Sequence, residues 1–291
     1  FSNQSNNLIQ TEITSQALRL SPNAPELYRE DGSLNWENNT FNNPLAAYES
    51  TYSYKSKTFN SDLNIQYEVL PSLYIKANGG ISYTSFEEIM LRPNTMYNPA
   101  YGLTPDFSQA FKNLNQNFSW IVEPQLNYRH TFNNHDIDVL VGGTLQQTQR
   151  TTLNIMGYGF ESNALITNLA AAANVMVTGD DKTEYRYAAL FGRINYKYKE
   201  RYILNLTGRR DGSSRFGPDQ RFASFGAIGG AWIFSKEYFI SSASWLSFGK
   251  LRASYGITGS DLIGDYQFLD TYTVSNTLYG GNTSLYPSRL N

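Results

Sequence analysis

The chain has 291 residues, with 23 Lys and Arg against 25 Asp and Glu, a formal net charge of −2 and only 16% charged residues. No basic cluster is present to track a phosphate backbone, so nucleic acid is excluded as a partner. Cysteine is absent, which removes disulfide scaffolds, thiolate zinc sites and a cysteine nucleophile.

No apolar run approaches the ~18 residues of a transmembrane helix, and the mean hydropathy is −0.44. Neither fact bears against a transmembrane β-barrel, in which half of each strand faces a wet lumen and the loops are polar. Aromatic residues are abundant at 15%, 22 of them tyrosines. The chain starts at Phe1 without an initiator Met or a signal peptide. The expectation is a removed leader or an internal piece of something longer.

Residues 1–56 form a long polar segment, expected to be an extracellular loop region. Within it Asp31-Gly32-Ser33-Leu34-Asn35 lacks the acidic ladder and closing Glu of a calcium loop. From residue 57 the pattern changes. Leu63, Ile65, Tyr67 and Val69 alternate with Asp62, Asn64, Gln66 and Glu68; after Leu70-Pro71-Ser72, Leu73, Ile75, Ala77, Ile81 and Tyr83 oppose Tyr74, Lys76, Asn78, Ser82 and Thr84. Side chains alternate across a strand, so this is a hairpin with one apolar and one polar face. Each strand is long enough for the 9–11 residues that cross a bilayer at a tilt.

The same reading continues along the chain. About eight strands are predicted: Lys57–Val69, Leu73–Thr84, Asn117–Thr131, Asp136–Arg150, Thr183–Tyr198, Arg201–Arg210, Phe222–Ser235 and Phe248–Thr258. Tight turns at Leu70–Ser72, Phe132–His135 and Lys199–Glu200 join pairs. Long segments, Ser85–Gln116, Thr151–Lys182 and Asp211–Arg221, separate them. The shorter connection Lys236–Ser247 is expected to hold a helical turn around Tyr238, Phe239 and Trp245, and residues 259–291 read as a closing extracellular loop. Short turns on one side and long loops on the other is the construction of an outer-membrane barrel, an antiparallel up-and-down all-β fold. A soluble β-sandwich also has half-apolar strands and stays as the alternative.

Aromatic residues supply further support. Tyr52, Tyr54, Tyr67, Tyr128, Tyr196, Tyr198, Tyr202, Trp232, Phe234 and Tyr255 fall mostly near strand ends, on the apolar phase. An apolar ring with a polar tip suits the bilayer interface. Ordinary cross-strand packing accounts for any one of them equally well.

The segment Arg201–Ile263 carries a set of motifs. Arg209-Arg210-Asp211-Gly212-Ser213-Ser214-Arg215-Phe216-Gly217 is followed by Gly230-Ala231-Trp232-Ile233-Phe234-Ser235-Lys236-Glu237, by Trp245-Leu246, and by Lys250-Leu251-Arg252-Ala253-Ser254-Tyr255-Gly256-Ile257-Thr258-Gly259. In order and spacing these resemble the C-terminal half of SusC/RagA-type TonB-linked outer-membrane transporters. Pro25-Glu26-Leu27-Tyr28, Asp31-Gly32 and Asn43-Pro44 resemble an extracellular segment of the same family.

The resemblance implies a bacterial outer-membrane location and about eight strands of a presumed barrel of about 22 strands. It also implies a plug domain absent from these residues and import of glycans or peptides. The implied partners are outer-membrane lipids, a SusD-type surface lipoprotein, TonB acting through the plug, and an oligosaccharide or peptide substrate. Two readings stand beside it: a barrel subunit of an outer-membrane assembly or secretion machine, and a small eight-stranded adhesin whose interior is filled by its own side chains.

In the family motif, Arg209, Arg210, Asp211 and Arg215 are expected to form bidentate pairs that pin the loop to the barrel mouth. Gly212 and Gly217 are expected to supply positive φ for a tight reversal, and Gly226, Gly229 and Gly230 to allow close approach of backbone or of a filling domain. Ligand or lid contacts are placed on Trp36, Tyr97, Tyr101 and Phe107, whose rings suit sugars or a peptide backbone.

No enzyme, cofactor or metal is expected. His130 and His135 flank a turn without a second ligand at metal spacing. Asp62, Glu68, Glu123, Asp136 and Asp138 can be posed as a protease site, but a wet lumen wall predicts the same residues.

Overall fold

The computed structural model describes residues 2–8, 13–240, 245–279 and 282–289. Its strands are β1 (Ser2–Leu8), β2 (Thr51–Leu70), β3 (Leu73–Arg92), β4 (Gln109–Phe132), β5 (His135–Phe160), β6 (Ala172–Tyr198), β7 (Tyr202–Ser213), β8 (Phe222–Trp232), β9 (Leu251–Ile257), β10 (Thr271–Tyr279) and β11 (Asn282–Arg289). Strands β1 to β9 form one sheet in which each strand lies beside its neighbours in sequence, and β10 pairs with β11 in a second, two-stranded sheet. Where the register is defined, as for β1–β2, β6–β7, β7–β8 and β8–β9, the pairing is antiparallel. The one α-helix among the described residues is Ile13–Arg19, and no helix there is long and apolar enough to cross a membrane.

The tight turns set this topology. Between β6 and β7, Lys199 and Glu200 have φ of 51° and 52°, the paired positive values of the turn whose twist matches two antiparallel strands. Ser72 and Asn133 hold φ of 72° and 50° in the other two hairpins. The Glu68 carboxylate caps the first of these by accepting from the Ser72 N–H at 3.2 Å. After β8 a 3₁₀ turn at Phe234–Lys236 leads into Glu237. Glu237 accepts from Arg201 Nη1 at 2.9 Å, Tyr202 Oη at 2.7 Å and Trp232 Nε1 at 3.0 Å, tying this connection to the β7 and β8 strand ends. The expected helical turn around Tyr238, Phe239 and Trp245 falls partly on residues 241–244, outside the described residues.

All eight predicted strands are present, but five are far longer than expected. β2 and β3 have 20 residues, and β4, β5 and β6 have 24, 26 and 27. At ~3.3 Å per residue these extend for roughly 65–90 Å, well beyond the ~30 Å hydrocarbon core even at a tilt of about 40°. Much of Ser85–Gln116 and Thr151–Lys182, expected as loop, is therefore strand. The irregular connections shrink to residues 93–108 and 161–171. The polar opening segment likewise contains β1 and the start of β2, and the closing one contains β10 and β11.

The apolar phase does not pack into a core. Leu63, Ile65, Tyr67 and Val69 are 43–68% exposed, and Leu190, Leu251 and Tyr255 are more than 60% exposed. A β-sandwich buries this phase against a second sheet, so that reading is set aside. Tyr128, His130, Phe132 and His135 stack in sequence at centroid spacings of 6.1, 5.9 and 4.9 Å. His135 continues to Tyr196 and Tyr198, and Tyr198 to Tyr202. Both histidines thus belong to an aromatic belt beside the tight turns.

By its contacts the chain divides into two compact units. One comprises Phe1–Asn60, Ser82–Phe118 and Arg150–Thr183; the other comprises Ser61–Ile81, Ser119–Gln149 and Glu184–Asn291.

Candidate functional site: inner wall, loop aromatics and the arginine clamp

In the first unit the polar phase is a hydrogen-bonded wall. Tyr52 Oη donates to Glu88 Oε2 and Asn113 Nδ2 to Glu88 Oε1, both at 2.6 Å. The bond to the Glu88 carboxylate pushes the Tyr52 phenol up to about 12. Thr58 and Thr84 hydroxyls meet at 3.3 Å, Thr152 donates to Asn115 at 2.8 Å, and Tyr54 stacks on Phe86 at 5.4 Å. Tyr52 and Tyr54 were expected with the apolar-phase aromatics. They lie on the opposite phase, because this end of β2 continues its alternation past the apolar stretch.

The loops of the same unit hold the four aromatic candidates. Trp36 is 6% exposed, so packing holds it and its face is closed to a ligand. Tyr97 and Phe107 meet edge to face at 5.6 Å. Tyr101, at the end of the 3₁₀ turn Pro99–Tyr101, is 58% exposed, and Phe107 is 45% exposed.

Sequence reasoning missed the polar knot beneath them. Fully buried Ser108 Oγ accepts from the Asn94 N–H at 2.8 Å and donates to Asn163 Oδ1 at 2.7 Å, while Asn163 Nδ2 donates to Asn94 Oδ1 at 2.7 Å. These residues stand 14 to 69 positions apart, and no local signal joins them. Asp31 closes an Asx-type turn by accepting from the Ser33 N–H and Oγ at 2.9 and 2.6 Å, with Gly32 at φ +82°, as a reversal and not a calcium loop.

In the second unit the polar phase carries ion pairs. Asp136 sits 3.4 Å from Lys197, and Asp138 sits 3.4 Å from Arg193. Thr144 donates to Glu123 at 3.1 Å. The carboxylates that sequence alone allowed as a protease site are thus spread along several strands, and Glu68, Glu123, Asp136 and Asp138 each have a structural partner. Among the described residues no cluster of three or more His, Cys, Asp or Glu is positioned to hold a metal ion. Asn195 and Asn205 face each other across β6 and β7, and a buried oxygen of each lacks a hydrogen-bond partner.

The arginine motif occupies the end of β7 and the turn beyond it. The Arg209 guanidinium bonds to Asp211 and to Tyr187 Oη, and lies over the Tyr187 and Phe191 rings at 5.9 and 5.5 Å. Arg210 lies over Phe222 at 5.6 Å. Arg215 does not join Asp211, contrary to expectation. Its Nε donates to Asp265 at 2.9 Å, its Nη1 to the Asp261 carbonyl at 3.0 Å, and its plane covers the Tyr185 ring at 4.3 Å. Asp261 Oδ2 accepts from Tyr185 Oη at 2.6 Å and from Ser213 Oγ at 2.9 Å. Tyr266 Oη accepts from the Glu184 N–H at 3.1 Å.

The motif therefore clamps residues 261–266 against β6 and β7. Burial pushes the Asp261 carboxyl up, but the Tyr185 and Ser213 hydroxyls and the Arg215 charge outweigh it and hold the group below its ordinary range. Burial, then the hydrogen bond to Asp261, pushes the Tyr185 phenol up.

The motif glycines have a different cause from the one expected. Gly217 has φ −59° and Gly212 is not among the positive-φ residues. A Cβ on Gly212 would lie 2.5 Å from the Phe222 ring, which packs over this position. Of Gly226, Gly229 and Gly230, Gly226 alone is crowded by backbone, with Thr207 O at 3.3 Å from a Cβ there.

No family model matches the chain. It is 29% identical over 266 residues to the TonB-dependent receptor P3 of Formosa agariphila, covering 90% of the chain and 26% of that relative. It is 32% identical to the TonB-dependent receptor SusC of Bacteroides thetaiotaomicron, covering 82% of the chain and 23% of SusC. A solved structure of the RagAB peptide transporter superposes with a TM-score of 0.76 at 27% identity, covering 85% of the chain and 27% of the solved one. The chain thus spans about a quarter of the length of the relatives it matches.

Exposed apolar and hydrogen-bonded polar faces on long antiparallel strands, with these likenesses, define an outer-membrane β-barrel segment of the TonB-dependent receptor class. Within that class the matches to SusC and RagAB place the chain in the SusC/RagA family.

Proposed function

We propose that this chain supplies barrel wall to a TonB-dependent importer of glycans or peptides. The observation that carries the reading is the pairing of an exposed apolar phase with a polar, ion-paired phase on strands that match the RagAB transporter over 85% of the chain. The polar phase lines a wide lumen, and the unpartnered oxygens of Asn195 and Asn205 suit water or a filling plug domain. A SusD-type surface lipoprotein and a peptide or oligosaccharide substrate come with this reading, as does TonB acting through a plug. Tyr101 and Phe107 are the loop aromatics open to the substrate or the lipoprotein; Trp36 is structural. Residues 93–108 and 161–171 are the extracellular loops and the tight turns are periplasmic. In this reading the wall carboxylates are structural, with Glu68, Glu123, Asp136 and Asp138 engaged in hydrogen bonds and ion pairs.

The test is isolation of the native complex under mild extraction, with uptake of labelled oligosaccharides and peptides by cells with and without the gene. Import predicts a surface lipoprotein as the principal partner and loss of uptake of one substrate class in the deletion strain. Recovery of a stable assembly or secretion apparatus, with uptake intact, overturns it.

A further inference from the structure

On the apolar phase of β2, β3 and β4 the chemistry changes abruptly at Phe59, Tyr83 and Phe118. Moving away from the tight turns, that phase reads Phe59, Lys57, Lys55 on β2. On β3 it reads Tyr83, Ser85, Glu87, and on β4 Phe118, Gln116, Leu114, Lys112. Lys112 Nζ sits 2.8 Å from Glu87 Oε1, both about one-third exposed. Lys55 and Lys57 are exposed, and neither has an ion-pair partner within 4.0 Å among the described residues. Nor does the neighbouring strand neutralise them: β1 sets Asn3 opposite Lys57 and Ser5 opposite Lys55, and its sequence SNQSNNL is uncharged. Three ammonium groups therefore share one carboxylate. Glu87 is held below the ordinary carboxyl range by the Lys112 hydrogen bond, with Lys112, Lys55 and Lys57 adding their fields against a smaller opposing effect of burial.

Position supplies the rest. Phe59, Tyr83 and Phe118 end the phase that faces hydrocarbon, and the next residues outward on the same phase enter the headgroup zone. At ~3.3 Å per residue and a tilt of about 40°, Lys57 and Lys55 stand roughly 5 and 10 Å beyond Phe59. That zone is ~5–8 Å deep on each side, and a lysine stem bends its head toward whichever level stabilises it.

We propose that Lys55 and Lys57, with the Lys112–Glu87 pair beside them, form a docking site for the anionic phosphate headgroup of a lipid in the leaflet on the loop side. The site rests on the membrane placement of the strands and not on the import reading.

The natural protein, purified from outer membranes and reconstituted into phosphatidylcholine vesicles, is tested for retention of diphosphorylated lipid A against lipid A stripped of its phosphates, read by native mass spectrometry. The unaltered protein retains the phosphorylated form. Lys55→Gln/Lys57→Gln lowers that retention roughly 30-fold, from two lost lysine–phosphate interactions. Lys55→Arg/Lys57→Arg keeps most of it, and Lys76→Gln, on the opposite phase, leaves it unchanged. Heat-modifiable migration of each variant confirms that it is folded. Equal retention of the dephosphorylated lipid, no loss in the double Gln variant, or full displacement by equimolar inorganic phosphate overturns the proposal.

Discussion

Substituting Asp261→Asn isolates what the arginine motif contributes. The change keeps side-chain size but removes the charge that accepts from Tyr185 at 2.6 Å and Ser213 at 2.9 Å. A hydrogen bond to a charged group contributes about 1.5–3 kcal/mol and a neutral one about 0.5–1.5. The two weakened bonds then cost roughly 2 kcal/mol, reduced to about 1–2 by the partial exposure of the site. The Arg215 contact to the Asp261 carbonyl is a backbone contact and persists. Opening of residues 261–266 should become about 5- to 30-fold more frequent.

Amide hydrogen exchange reads this directly at Glu184, whose N–H is held by Tyr266 Oη. The expected order of acceleration is Asp261→Ala, then Asp261→Asn, then Ser213→Ala. Unchanged exchange at Glu184 in both Asp261 variants would refute the clamp. pH gives a second reading on the unaltered protein. The folded-state pKa of Asp261 is depressed below 3.8, so its contribution is complete above the unfolded value and is lost as pH falls through the folded one. Protection at Glu184 should hold from neutral pH down to about 3.8 and be lost as pH falls further, through the folded-state pKa. The Tyr185 phenol is raised above 10, so its share is complete below that value and disappears as pH rises through the folded pKa.

Two further outcomes follow from the sheet. Gly256→Ala puts a Cβ 2.6 Å from Ala227 Cβ and 3.2 Å from Gly226 O on the paired strand. With no side-chain end able to swing away, it should destabilise by about 1–3 kcal/mol. Ala227→Gly should relieve most of that, and Gly212→Ala should cost less, because the exposed Phe222 ring can turn aside; denaturant titration of the full-length protein ranks all three. Ile65→Arg, on the exposed apolar phase, should lower folding into bilayers by about 2–4 kcal/mol near the midplane, while Gln66→Arg one residue later should be nearly silent. Equal effects of the two in a bilayer-folding titration would show that the phases are misassigned.

The parts of this chain legible in sequence are those where solvent differs on the two faces. Between Asp62 and Val69, lipid on one side and water on the other force strict alternation, and the structure keeps every one of those phases. β1 has no apolar residue until Leu8, so nothing in SNQSNNL marks it as a strand; only its pairing with β2 does. The arginine motif was visible as a cluster, but the partners of Arg215, at Asp261 and Asp265, lie 46 and 50 residues further on. Chain topology sets that pairing, and no local spacing could supply it.

The most instructive difference concerns where the strands end. The hydropathy pattern fades after Thr84 on β3 and before Asn117 on β4, which are the strand boundaries expected from sequence. The backbone continues in strand to Arg92 and from Gln109, and the side chains still alternate there: Glu87 and Lys112 pair on one phase while Glu88 and Asn113 pair on the other. What changes is the medium. Past Tyr83 and Phe118 the outward phase no longer needs to be apolar, so charge appears on both faces while the ladder of backbone hydrogen bonds runs on. Loss of alternation in such a chain marks the edge of the membrane and not the end of the strand. The same shift places Lys55, Lys57 and Lys112 at the boundary where lipid headgroups begin.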